Sequence, residues 1–203
     1  MKRKKWLLPV ETDACVSKLA GELRLSRLSA RVLAARGFDS REKAQAFLDR
    51  SLDGIHDPYL LKDMDLAVEE IRRALRDRVK IAVYGDYDVD GVTATCIMIQ
   101  YLRSRGADCT YYIPDRLGEG YGLNTAAIQS LYDDGCRLLI TVDSGITAEE
   151  EARFAGSLGL RLIITDHHEC KEQLPEAAAV VNPRRPDSAY PFRELAGVGV
   201  AFK

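Results

Sequence analysis

The sequence predicts an α/β protein: a parallel sheet with helices on both faces, preceded by a small helical segment. Three observations carry this. Five short apolar runs read as buried strands from residue 80 onward, helix-like stretches separate them, and the polar residues that matter chemically follow the strands rather than the helices. Apolar strands alternating with helices indicate βαβ units and hence a parallel sheet.

Residues 11–78 read as the helical segment. Asp39-Ser40-Arg41-Glu42 has the look of a capping box and opens an amphipathic run through Ala46, Phe47 and Leu48. A second periodic run extends from Leu66 to Leu75, after the loop around Pro58. Neither carries obvious chemistry, so residues 1–78 form the expected first domain and residues 79–203 the second.

In the second domain the strands are KIAVYGD (80–86), CTYYIPD (109–115), RLLITVD (137–143), RLIITDH (161–167) and AAVVNPR (178–184). The stretches VTATCIMIQYLRSRG, NTAAIQSLYDDG and TAEEEARFAGSLG supply helices between them. Strand one leads into Asp86, Asp88 and Asp90, and strand two into Asp115. Strand three ends in Asp143, strand four in Asp166, His167 and His168, and strand five in Asn182. Parallel strands with right-handed crossovers bring these ends to one edge, where open α/β sheets bind their ligands.

Composition narrows the chemistry. The 203-residue chain is 46% hydrophobic and 30% charged, which suits a globular protein, and its net charge of −2 excludes a global basic field for nucleic acid. Five scattered cysteines without a C-x-x-C pair argue against a disulfide framework or a zinc knuckle and for a cytoplasmic protein. The start, MKRKKWLLPV, is too briefly apolar for a signal peptide, and no run approaches a membrane span, so no membrane partner is expected.

Three aspartates within five positions repel one another unless a cation sits among them. Carboxylates with one or two imidazoles suit Mn²⁺ or Mg²⁺, and they outnumber what one ion needs. A carboxylate shared by two ions is then natural, with Asp143 the candidate bridge, and a two-ion site hydrolyses phosphate esters or anhydrides. A phosphorylatable receiver domain would need a lysine where Asn182 stands. A P-loop enzyme would need a Gly-rich loop ending in Lys-Ser/Thr, which is absent after strand one.

The Asp166-His167-His168 signature after one strand, with D-x-D after another, resembles the DHH phosphoesterase superfamily. YGDYDVDGVTAT, YIPDRLGEGYGLN, TVDSGI, TDHHE and VVNPRRPDSAYPFRELAGVGVAFK resemble its single-strand-specific DNA exonuclease branch. The resemblance implies a 5′→3′ exonuclease of DNA repair and recombination acting on single-stranded DNA with two Mn²⁺ or Mg²⁺ ions. It implies a single-strand-binding protein and a helicase as cellular partners. Alternatives are a DHH enzyme for small molecules or short oligonucleotides, and a catalytically incomplete binding fragment.

Carried onto this sequence, the resemblance makes Asp88 and Asp90 metal ligands, with Asp86 a ligand, a neighbour of the ligands or a turn cap. Asp143 becomes the bridge and His167 a ligand. His168 faces the phosphate or stabilises the transition state, and Asp166 orients a histidine. Asp143, His167 and His168 are the implied catalytic residues. Arg116 is expected to hold a phosphate, or else to pair with Glu119, and Tyr121 to stack on a base. Asn182 and Arg184 extend the strand path, unless Arg184 and Arg185 are ordinary surface charges. Gly85 and Gly91 are expected to permit tight turning beside the acids. The chain stops at GVGVAFK, where the resemblance implies a continuing helix and one more aspartate. The expectation is therefore an N-terminal fragment of a longer nuclease, its second domain incomplete.

Overall fold

A computed structural model describes residues 13–49, 54–120 and 122–203. The chain divides into two compact units after Ile55.

The first unit contains α1 (Asp13–Leu23), α2 (Arg27–Ala35) and α3 (Arg41–Leu48). Ser26 Oγ accepts from Ser29 N at 3.0 Å and caps α2; Ser40 Oγ accepts from Lys43 N at 3.3 Å and caps α3. Lys43 thus occupies the position where a reciprocal capping box needs Glu or Gln. It pairs with Asp39 at 2.8 Å instead, so Ser40 caps α3 alone. Val16, Leu19, Ala30, Leu33, Ala34 and Ala44 form this unit's small core.

The second unit opens with a 3₁₀ turn at Pro58–Leu60 and α4 (Met64–Arg76). Then come β1 (Ile81–Tyr84), α5 (Val89–Ser104), β2 (Cys109–Tyr112), α6 (Thr125–Asp133) and β3 (Leu138–Val142). The unit ends with α7 (Glu149–Ser157), β4 (Arg161–Thr165), β5 (Ala179–Val181) and α8 (Gly197–Phe202). The strands form one parallel sheet in the order β2-β1-β3-β4-β5.

Alternate strand residues face opposite sides, so the strands contribute to two cores. Ile81, Val83, Ile140, Val142 and Ile163 pack beneath α4, α5 and α8. Ala82, Tyr84, Leu139, Leu162 and Ile164 pack beneath α6 and α7. Burial on both faces explains why the strands read as continuous apolar runs.

The unit boundary falls at residue 55 rather than at the expected 78. The periodic run 66–75 is α4, and its buried face (Met64, Ala67, Ala74) belongs to the sheet core. Asp63, just before it, accepts from Arg185 Nη1 at 2.5 Å and from Val180 N at 3.3 Å, tying the helix to β5. Periodicity marks an amphipathic helix but not the surface that its apolar face meets.

The chain runs from β1 outward to β2, then returns past β1 to β3. That reversal opens a crevice at the carboxyl ends of β1 and β3, the switch point where open sheets bind ligands.

Candidate active site

β1 ends at Tyr84, so Asp86 and Asp88 lie on the turn into α5 and Asp90 in its first helical turn, none of them on the strand. Two glycines allow that turn. A Cβ on Gly85 would stand 1.9 Å from Thr95 Oγ1, and one on Gly91 2.5 Å from the Asp86 carbonyl oxygen. Asp88 is the N-cap of α5: its Oδ1 accepts from Asp90 N at 2.8 Å and from Gly91 N at 3.0 Å. Asp86 is buried, with Oδ1 lacking a hydrogen-bond partner, and burial raises its pKa.

Asp143 follows β3 in the left-handed backbone region at φ 60°, unusual for a residue with a side chain. Its amide donates to Thr165 O at 3.0 Å, which fixes the turn against β4. The carboxylate is buried. Its Oδ1 stands 3.1 Å from His167 Nε2 yet makes no hydrogen bond. Burial, reinforced by the charges of Asp90 and Asp88, pushes its pKa up to about 7.

Two groups of candidate ligands result. One oxygen each from Asp86, Asp88 and Asp143 lies within 4.8 Å of the others, and so does one atom each from Asp143, His167 and His168. Asp143 belongs to both. Buried anionic oxygens without partners, Asp86 Oδ1 and Asp143 Oδ1, are costly unless a cation compensates them. The donor set, carboxylates with imidazole and no thiolate, fits a hard divalent cation such as Mn²⁺ or Mg²⁺.

Asp166 organises the double-histidine turn. Its Oδ1 accepts from His167 N (2.7 Å) and His168 N (3.1 Å) and meets His168 Nδ1 at 2.7 Å, while Oδ2 accepts from Ile146 N at 2.9 Å. Burial works against the Asp166 charge, but these hydrogen bonds outweigh it and lower the pKa. The same partner raises that of His168. His168 also belongs to the group with Asp143 and His167, which adds a metal-facing option to its expected phosphate-facing role. A cavity of about 330 Å³, walled by Leu123, Ile146 and Ala148, opens beside it.

Asp90 belongs to neither group of three. Its carboxylate accepts from Gly197 N and Val198 N, each at 2.7 Å, and its Oδ2 is 3.7 Å from His167 Nε2. The expected ligand therefore also holds the first turn of α8. A Cβ on Gly197 would come 2.2 Å from Asp143 Oδ1, so only glycine fits there. Sequence reasoning passed over this contact, although the glycines of GVGVAFK, placed where a helix begins, were its one visible signal.

The expected strand contacts divide. Arg116 does not pair with Glu119; its guanidinium lies 5.3 Å from the centre of the Tyr87 ring, in the acidic turn itself. Glu119 instead fastens the loop after β2, meeting Tyr112 Oη at 2.5 Å, Asp115 N at 3.0 Å and Asn124 Nδ2 at 2.9 Å. Tyr121 lies outside the described residues. Asn182, expected on the strand path, is fully buried with both amide atoms bonded to backbone, so it cannot reach a ligand. Arg184 is held by Glu169 and Glu194 rather than presented to a phosphate. Arg185 is no surface charge, being buried against Asp63, Asp187 and the Val180 carbonyl.

Comparison with known proteins places this geometry. Residues 80–203 match the DHH family, N-terminal domain. The single-stranded-DNA-specific exonuclease RecJ of Bacillus subtilis is 45% identical over 199 residues, covering 98% of this chain and 25% of the relative. RecJ of Escherichia coli is 38% identical, covering 88% of this chain and 30% of the relative. The chain thus spans about a quarter of the length of these relatives. The crystal structure of Thermus thermophilus RecJ in complex with Mn²⁺ superposes with a TM-score of 0.67 at 30% identity, covering 95% of this chain and 26% of that one. A crystal structure of exonuclease RecJ bound to manganese gives 0.66 at 37% identity, covering 73% and 37%.

Proposed function

This chain belongs to the DHH family, and on that premise we propose that it carries the metal-binding edge of a single-strand-specific DNA exonuclease. The reaction is hydrolysis of phosphodiester bonds, 5′→3′, in DNA repair and recombination. The observation that carries the proposal is the sharing of Asp143 between two adjacent ligand groups, with its Oδ1 buried and unbonded.

The residues of this edge would hold a pair of Mn²⁺ or Mg²⁺ ions, which would supply Lewis-acid chemistry for phosphodiester hydrolysis. Asp86 and Asp88 hold one side of the site, His167 the other, and Asp143 lies between. Asp90 binds metal or acts through α8 and His167. Asp166 orients the His168 ring by meeting Nδ1, and His168 serves the reacting phosphate. Arg116, on the loop fastened by Glu119, holds a backbone phosphate beside the acidic turn, and Tyr121 stacks on a base. The 45% identity to a RecJ enzyme over nearly the whole chain favours this substrate class over a small molecule.

The helical unit is a separate module. The protein works in the cytoplasm with a single-strand-binding protein and a helicase as partners. No helix among the described residues is long and apolar enough to cross a membrane.

The test is digestion of single-stranded DNA labelled at one end or the other, with and without Mn²⁺, by the full-length protein. Metal-dependent release of mononucleotides from the 5′ end is the expected result. Release from the 3′ end, or hydrolysis of dinucleotides alone, overturns it.

A further inference from the structure

The position of Asn182 and Arg184 points to a role quite different from gripping DNA. Asn182 Nδ2 donates to the His168 carbonyl at 3.0 Å, and its Oδ1 accepts from Arg184 N at 2.7 Å. His168 is thereby held at its amide and ring by Asp166 and at its carbonyl by Asn182.

From there the contacts continue through one side chain. The Arg184 guanidinium pairs at Nη1 with Glu169, the residue after His168, and donates from Nη2 to Glu194 Oε2 at 2.8 Å. Glu194 stands two residues before Ala196, the N-cap of α8. The first amides of α8, Gly197 and Val198, in turn hold Asp90. A mostly buried, planar guanidinium locked between two carboxylates transmits orientation well, because its donors are fixed in one plane. It is also poorly suited to recruit a phosphate, since two anions already occupy it.

We propose that Arg184 is a positioning residue: it clamps the His167-His168 turn to the start of α8, so that the histidines, Asp90 and Asp143 keep one mutual geometry. The consequence for metal binding rests on the functional reading above; the clamp itself does not.

The experiment compares Arg184→Gln and Glu194→Gln with wild type. In the metal-free protein, both substitutions should shift the Gly197 and Val198 amide resonances and accelerate their exchange, leaving the sheet amides of Ile140 and Ile163 unchanged. Mn²⁺ affinity measured by calorimetry should fall about 10-fold, as for other partners that orient ligands. The salt dependence of single-strand binding should keep its wild-type slope. A slope reduced by about 0.7 in Arg184→Gln, the value for one lost phosphate contact, with both amides unmoved, overturns the proposal. Glu194 is largely exposed, so its variant supplies the amide test even if Arg184→Gln fails to fold. Moved amides in the two variants, together with a wild-type protein that binds no Mn²⁺, would support the clamp while refuting the metal reading.

Discussion

His167 Nε2 stands 3.1 Å from Asp143 Oδ1 without a hydrogen bond joining them, and that oxygen is buried with no other partner. An imidazole nitrogen and a carboxylate oxygen so close, with no bond between them, are near enough to share one cation. Two ligands of one cation are arranged this way, and the predictions below begin from that relationship.

Asp143→Ala removes the member common to both ligand groups. Calorimetry should show the loss of all tight Mn²⁺ binding, and the full-length enzyme should lose its metal-dependent hydrolysis. Asp166→Asn, which disturbs the orientation of the histidines and the bond to Ile146 N without removing a candidate ligand, should weaken affinity or activity by roughly 10–100-fold. Two tightly bound ions in Asp143→Ala would refute the shared-ligand assignment.

The raised pKa of Asp143 has a definite sign in stability. Near 7 when folded and 3.8 when unfolded, the folded protein retains a proton that the unfolded chain has released. Its contribution to stability is therefore lost as pH rises through that window and is flat above it. Thermal melts of the metal-free protein should show wild type losing more stability than Asp143→Asn between about pH 4 and about pH 7. Mn²⁺ uptake below pH 7 should release protons, since the ion displaces them from the carboxyl group. Melting profiles with equal pH dependence would contradict the raised value.

Arg116→Ala should lower the salt slope of single-strand binding by about 0.7, the loss of one phosphate contact. Tyr121→Ala should cost about 1–3 kcal/mol with the slope nearly unchanged, as expected for stacking. Equal slopes in wild type and Arg116→Ala would assign Arg116 to its contact with Tyr87 alone.

Gly197→Ala places a methyl group 2.2 Å from Asp143 Oδ1. Relieving that overlap must move either α8 or the carboxylate, at a cost of about 1–3 kcal/mol, the usual range for overpacking. Mn²⁺ affinity should fall although every candidate ligand is retained. Unaltered stability and metal affinity in Gly197→Ala would show that α8 does not pack against Asp143 in solution.

The parallel sheet, the order of its elements and the edge at which Asp86, Asp143, Asp166, His167 and His168 gather were all legible in the residues. The reason is local. Strands buried on both faces must be apolar throughout, and residues that follow parallel strands must share an edge whatever the details of packing. Gly85 and Gly91 were legible for a related reason, since close backbone approach leaves no alternative residue.

Sequence by itself therefore determined the fold class and the edge of the sheet at which the acidic and imidazole side chains gather. Only the tertiary structure decided which of those polar groups remain free for a ligand. Asn182, Arg184 and Arg185 look like a basic strand path when read in a line, yet in the fold they meet His168, Glu169, Glu194, Asp63 and Asp187. Asp90 looks like any third carboxylate until α8, more than a hundred residues later, brings two amides to it. Whether a polar group binds a ligand or braces the protein depends on which partners reach it first, and for these residues most of the partners lie on other segments of the chain. Spacing along the sequence carries no record of such long-range contacts, because they arise only when separate elements pack together.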